Sequence, residues 1–425
     1  MNMKLRLSAL LLTGLVITVV SCSREPSGTD RAATPAAPPA WTVQVQAVSP
    51  PAGPATMLPR LTVSGQSVIL SWVERAGTMA HLEFAERTSA GWSEPTAVAS
   101  GNKWFLSYAD PPTVLRRPDG TLVANWLMST NPIYEGSDLY LSYSKDNGKT
   151  WARPLVPHHD GSQQQHAFPS FFELPGNALG VIWLDGRDVQ PTDANPEGGP
   201  MALRYAAYDA QWKRTAEGVV DPRACECCST TSAVTSDGVL TAFRDRSDKE
   251  IRDIAVSRLE NGKWTEPTRV HDDNWEVFAC PVNGPVVSAR GRDAVVAWFT
   301  AKDDNGQAWA AFSNDAGRTW GQPIRLDDGT SLGRVGVDLL DDGSAVASWV
   351  EYADKRGQFK LRRIQPSGDR SGAVAVSTPS ARLAMDSPRI ARHGKELVFA
   401  WTEIAGTGES DTAFQVHTAV ATVPE

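Results

Sequence analysis

The sequence predicts an all-β chain closed into a seven-bladed β-propeller of four-stranded antiparallel blades, and three observations carry that expectation. First, a short apolar strand runs into an aromatic residue seven times at nearly one step: Trp72 in VILSWVE, Trp126 in LVANWLM, Trp183 in LGVIWLD, Phe243 in VLTAFRD, Trp298 in AVVAWFT, Trp349 in AVASWVE and Trp401 in LVFAWTE. The step is about 55 residues, near that of kelch and WD-type blades. Second, the chain between these anchors alternates polar and apolar positions and turns on Asp119-Gly120, Asp237-Gly238 and Asp342-Gly343, as short antiparallel strands do. Third, 15 Trp, 34 Gly and 29 Pro suit many tight turns between bulky strands. One such blade cannot bury both faces of its sheet, so its neighbours must supply the missing core. A length of 425 residues would otherwise allow two or three domains.

Taken from the N-terminus, residues 1–21 read as an export leader. Lys4 and Arg6 precede an apolar stretch, Leu7 to Val20, that is short for a membrane span. Val19-Val20-Ser21-Cys22 resembles the lipobox of bacterial lipoproteins, which implies a diacylated Cys22 as the mature N-terminus and stable anchoring by two or three acyl chains. An ordinary cleaved leader with a chance cysteine is the other reading. Ser23 after the cysteine implies, by the same resemblance, outer-membrane sorting. Residues 22–40 are then the lipidated cysteine and a tether without apolar period. The expected location is the bacterial cell envelope, at the outer membrane facing the periplasm or the cell surface, with the lipid anchor as the membrane contact.

Residues 41–425 carry the propeller. The seventh repeat stops after its third strand, AFQVHTAVA, while the domain opens on an orphan strand, WTVQVQAV from Trp41. That strand is expected to complete the last blade and close the ring, removing two exposed edges. Blades end on W-x-x-P, at Trp92 and Pro95, Trp151 and Pro154, Trp264 and Pro267, and Trp320 and Pro323.

Two turns between third and fourth strands share S-x-D-x-G-x-T-W: Ser144, Asp146, Gly148, Thr150 and Trp151, and Ser313, Asp315, Gly317, Thr319 and Trp320. The carboxylate can accept from turn amides, the glycine can take positive φ, and the Trp packs beneath. This motif is the Asp box, and the chain resembles the sialidase superfamily of BNR-repeat proteins. The resemblance implies a propeller, six-bladed in that family as the alternative to seven, with Asp boxes on the face opposite the active site. It also implies three arginines on a substrate carboxylate, a tyrosine nucleophile activated by a glutamate, and an aspartate acid. Arg60-Leu61 and Arg389-Ile390 come nearest the family's R-I-P string, though neither is followed by Pro. Candidate catalytic residues are Arg60, Asp110, Arg187, Arg244 and Arg246. Tyr352 adjoins Glu351, but neighbours on an extended strand point to opposite faces.

The face away from the Asp boxes holds the remaining candidates. An acid follows the aromatic by two in five repeats, at Glu74, Asp185, Asp245, Glu351 and Glu403, and reads either as a paired rim or as part of a receptor for a carboxylate. Cys225, Cys227 and Cys228 precede blade four, and Cys280 stands at the corresponding place before blade five, so the four sulfurs are expected to gather at the channel mouth. Disulfides, a Cu or Zn site and a redox pair are the three readings. His158, His159 and His166 read as solvated loop histidines or metal ligands. A formal charge of −8, more negative still without Lys4 and Arg6, argues against nucleic-acid partners. Three functions stay open: a module binding an extracytoplasmic glycan or peptide, a sialidase-like glycoside hydrolase acting on acidic sugars, and Cu, Zn or thiol-redox handling through the cysteines.

Overall fold

The computed structural model describes residues 41–424 apart from 66, 132–135, 190–198, 379–380 and 405–413. The leader, Cys22 and the tether lie outside the described residues. The chain forms seven small antiparallel sheets, so the ring has seven blades and not six. The innermost strands are Thr56–Ser64, Thr113–Arg116, His166–Leu174, Thr231–Thr235, Val286–Arg290, Thr330–Leu339 and Arg389–His393. The first packs against the last, which closes the ring. Closure uses the N-terminal strand as expected: Gln46–Val48 pairs with Phe414–Thr422, Ala47 facing Ala419.

The anchors explain why blades associate. Trp72, Trp126, Trp183, Phe243, Trp298, Trp349 and Trp401 stand on the second strands and are all buried. Apolar clusters run across each blade boundary: Phe84 with Val114 and Trp126, Leu141 with Phe172, Tyr208 with Phe243, Ile254 with Trp298, Leu326 with Trp349, Phe359 with Phe399, and Trp72 with Ala400. The blade-ending tryptophans reach backwards into the preceding blade. Trp264 of blade four meets Phe172 and Tyr205 of blade three edge-on, with ring centroids 5.9 and 5.5 Å apart. Burying an aromatic at each boundary contributes on the order of 2–3 kcal/mol by area alone.

The outermost strands depart from the expected pattern, and proline is the reason. In blade one the fourth strand splits into Gly91–Trp92 and Thr96–Gly101 around Pro95, and in blade four into Lys263–Trp264 and Thr268–Arg269 around Pro267. In blade two, among the described residues, it is reduced to the single bridge between Leu141 and Leu155, beside Pro154. Proline has no N–H for the ladder and is tolerated only at such edges.

Both Asp boxes form the turn lock that their residues imply. In the second, Ser313 Oγ donates to Asp315 Oδ1 (2.8 Å), and the Thr319 N–H and hydroxyl donate to the same carboxylate (2.9 and 2.6 Å). Gly317 adopts φ +80, and a Cβ there would lie 2.6 Å from Leu240 of blade four. The turn is therefore also a contact between blades. Burial raises the Asp315 carboxyl, but the bonds from Thr319 and Ser313 outweigh it and hold the group at about 2. Replacing Asp315→Ala should lower stability at neutral pH by about 1 kcal/mol. A carboxyl that titrates lower in the fold than in the unfolded chain stabilises above the ordinary carboxylate range, and that gain is lost as pH falls through about 2. The gap in thermal midpoint between wild type and variant should accordingly narrow on acidification.

Candidate functional site

The channel has two unlike ends. On the Asp-box side a cavity of about 1080 Å³ is lined by residues of five innermost strands, among them Thr62, Arg116, Glu173, Ser232 and Val287, and by Arg117 just beyond the second. Its charges cancel: Arg117 pairs with Glu173 at 2.7 Å, and Arg116 with Glu86. No charged side chain lining it stands there without a counter-charge, so size alone does not make it the site. At the opposite mouth a slot of only about 10 Å³ is lined by Cys227, Ser229, Asn283, Arg334 and Arg389. That is room for one water-sized group.

Three arginines meet at this mouth from three consecutive blades. In the first strands Arg60 stands opposite Ser71 and Arg389 opposite Ala400, each partner immediately preceding the second-strand Trp, so both arginines lie at one depth in the channel. Arg334 comes from a β-bulge of blade six, where the pairing shifts between Gly333 and Gly336. Its backbone is left-handed (φ +54), held by its N–H donating to Asn283 Oδ1 at 2.8 Å and its guanidinium donating to the Val282 carbonyl. A non-glycine residue in that region stores strain, and a bulge re-aims the side chain it carries. Leu58 and Phe168 show the same positive φ at the matching bulges of blades one and three.

The electrostatics are costly. Burial lowers the pKa of all three arginines, and Arg389 is lowered further by the charge of Arg60. Asp110 and Asp386 offset part of that, and the Arg334 guanidinium stacks 5.5 Å from the Tyr108 ring. Asp110 accepts the Phe168 N–H at 2.5 Å, yet burial outweighs this bond and the two arginines and pushes its carboxyl up to about 6. Asp386 accepts the Thr402 hydroxyl at 2.5 Å and is also raised by burial. Arg389 Nε is buried with no hydrogen-bond partner. A planar anion at this point would find a convergent set of donors.

The cysteines gather on the far side of the same mouth, as the blade register implies. The Cys225 sulfur lies 3.8 Å from that of Cys227 and 3.5 Å from that of Cys228, and Cys280 Sγ lies 3.6 Å from Glu226 Oε1. All four are free thiols, which corrects the expectation of disulfides: a bond needs sulfurs about 2.05 Å apart. Burial pushes the Cys225 thiol up to about 11. At Cys228 burial acts the same way, but hydrogen bonds from Cys225 and Cys227 and the nearby Arg244 outweigh it and hold the thiol well below its usual range.

Other candidates stand elsewhere or serve the scaffold. Arg244 spends its guanidinium on the carbonyls of Asn283, Arg252 and Phe299, at 2.6 to 3.2 Å, and stacks 5.0 Å from Trp275. It ties blade four to blade five and does not join the arginine group. Arg246 is clamped between Glu226 and Glu250 at 2.7 and 2.9 Å. Arg187 pairs with Asp185 at 2.7 Å, beside buried His166 and His158, whose rings stack 3.5 Å apart. His158 Nε2 accepts the Leu139 N–H and His166 Nδ1 faces the Ser137 carbonyl, whereas His159 is exposed.

Three rim acids are locks for their own tryptophans. The indole N–H of Trp183 donates to Asp185 (2.8 Å), that of Trp349 to Glu351 (3.1 Å), and that of Trp401 to Glu403 (2.7 Å). Residues two apart share a strand face, so the W-x-acid spacing builds the bond. In blade four Phe243 has no donor, and burial together with Asp221 pushes Asp245 up to about 6. Glu74 helps to raise Glu83, after burial. Arg334, Asp386 and Tyr108 were not singled out by the sequence. The signal that finds Arg334 is a shared string at the start of first strands, Pro59-Arg60-Leu61, Gly333-Arg334-Val335 and Pro388-Arg389-Ile390.

Arg244→Ala should cost about 3–5 kcal/mol in denaturant unfolding, because it strands three buried carbonyls and the thiol loop. Asp110→Asn should behave oppositely. A carboxyl raised to about 6 keeps its proton in the fold while the unfolded chain releases it near 3.8, so wild-type stability falls as pH rises through that window. The variant should therefore melt higher than wild type above that window, and equally below it.

No protein-family model matches the chain, and no curated protein sequence matches it. Among solved structures, the polysaccharide lyase Uly1 superposes with a TM-score of 0.52 at 11% identity, over 85% of this chain and 89% of that one. The NanB sialidase from Streptococcus pneumoniae gives 0.47 at 9% identity, over 84% and 83%. The Penicillium chrysogenum alpha-L-arabinanase gives 0.45 at 15% identity, over 73% and 92%. At such identities the likeness is one of fold, and the fold is a seven-bladed β-propeller.

Proposed function

We propose that the protein binds an acidic glycan, seating one sugar carboxylate on Arg60, Arg334 and Arg389 at the channel mouth away from the Asp boxes. The observation that carries this reading is the convergence of three desolvated guanidiniums, one with a buried N–H lacking a partner. Assembling them costs the apo protein free energy that an anion would return, and Arg334 and Arg389 both line the slot at this mouth. A polysaccharide lyase shares the fold, which makes carbohydrate the first ligand class to test. On the leader and Cys22 we place the protein in the bacterial cell envelope, tethered by residues 23–40 to the outer membrane.

A second reading, hydrolysis of acidic glycosides, is favoured by Asp110. Its raised carboxyl adjoins the arginines and would hold a proton for a leaving group in mildly acidic medium. Under that reading turnover falls as pH rises through about 6, and Asp110→Asn abolishes turnover while leaving binding intact.

Calorimetry against uronate- and sialate-containing oligosaccharides, each paired with its carboxyl-reduced form, tests the receptor. Arg389→Met should weaken binding of the acidic form by at least about tenfold, or 1.4 kcal/mol, with a thermal midpoint equal to or above wild type. Equal affinity for acidic and carboxyl-reduced sugars would sink the proposal.

A further inference from the structure

We propose that Cys225, Cys227 and Cys228 form a three-thiolate site for one Cu(I) ion in the wall of the channel mouth. The argument rests on spacing. A three-coordinate ion with metal–sulfur bonds of about 2.3 Å puts its sulfurs about 4 Å apart, a tetrahedral one slightly closer. The separations from Cys225 are 3.8 Å to Cys227 and 3.5 Å to Cys228, and all three sulfurs lie within 4.8 Å of one another. Cys280 does not complete a compact four-sulfur set. It groups with Cys227 and the Glu226 carboxylate instead. Three soft donors without a fourth suit Cu(I) better than Zn(II), which takes four ligands in structural sites.

The surroundings supply what a built metal site requires. Arg252 Nη1 lies 3.4 Å from Cys225 Sγ and 3.0 Å from Glu226 Oε1, and Arg252 and Arg246 are both braced on Glu250. These cations offset the thiolate charge and fix the ligand loop from outside. The loop is pressed from blade five as well: a Cβ at Gly284 would lie 2.0 Å from the Ser229 carbonyl oxygen, so only glycine lets the two segments approach. Cys225 and Cys228 are buried, while Cys227 is half-buried and lines the slot, which gives the ion a route from solvent. Binding releases the thiol protons to solvent, and copper enters and stays as Cu(I), so no electron is transferred.

The test uses the full chain without its leader, prepared under argon and titrated with Cu(I) against bathocuproine disulfonate. Support is withdrawal of one equivalent of copper per chain, a new ultraviolet sulfur-to-copper band, and protection of Cys225, Cys227 and Cys228 from alkylation on wild-type protein. Cys228→Ser should weaken Cu(I) binding by more than about tenfold, and Arg252→Met by about tenfold with the thiols intact. Cys280→Ser should retain the equivalent. Equal alkylation of the three cysteines with and without copper would overturn the assignment, as would displacement of Cu(I) by Zn(II) or a Cys225–Cys228 disulfide in protein purified without reductant. The glycan reading is tested separately, by Arg389→Met.

Discussion

The rest of the structure depends on one constraint: a four-stranded blade has two apolar faces and can cover neither alone. Each second strand carries a buried aromatic, and the larger apolar clusters join residues of neighbouring blades. Such a stack has no stable open end, because the terminal blades would leave faces wet. Ring closure settles this by bringing residues from the two ends of the domain into contact. Arg87 of blade one donates both Nε and Nη2 to Glu396 of blade seven, 309 positions away, at 3.0 and 2.7 Å. The same closure sets Arg389 beside Arg60. The mouth is therefore a product of long-range packing, although each side chain in it arrives on a local strand.

Locally encoded features were legible in the residues, and features decided by neighbours were not. The seven aromatics, the Asp-Gly turns and the Asp boxes each state a local geometry and each appears where its pattern implied, while of the orphan strand expected from Trp41 the ladder keeps Gln46–Val48. Arg60 and Asp110 were reachable because they stand where first strands begin. Arg334 escaped because it stands in Gly333-Arg334-Val335, without the proline that precedes Arg60 and Arg389 or the isoleucine of the family's string. Arg244 was misplaced for a different reason. Flanking acids in the sequence suggested a rim, but its guanidinium turns inward to carbonyls of the next blade. The disulfide expectation came from the export leader, and no sequence pattern states a sulfur–sulfur distance.

Positive φ also occurs in turns around the chain, such as those of Asn147, Trp212 and Ala316, but one mouth combines it with buried charge and buried thiols. Positive φ at Leu58, Phe168, Val282 and Arg334, three desolvated arginines and free buried thiols all fall on the lead-ins to first strands. Elsewhere the same chain satisfies its charges closely, as Arg117 with Glu173 does at the opposite end. Strain and unpaired charge are retained only where surrounding packing over-determines them, and here the seven-fold packing does so.

One residue shows how the two chemical groups of the mouth are held as a unit. Asn283, in the lead-in to blade five, accepts the Arg334 N–H with its side-chain oxygen, and its carbonyl accepts from Arg244 at 2.8 and 3.2 Å. Its own N–H points to the Cys228 sulfur, and its amide nitrogen donates to the Pro281 and Leu332 carbonyls. A Cβ on Gly333 would lie 2.2 Å from its side-chain oxygen, so that glycine is what allows blade six to reach it. Arginines and thiols thus share one support rather than two adjacent ones. A shift of the thiol loop would be felt at Asn283, then at the left-handed backbone of Arg334, and so at the spacing of the guanidiniums.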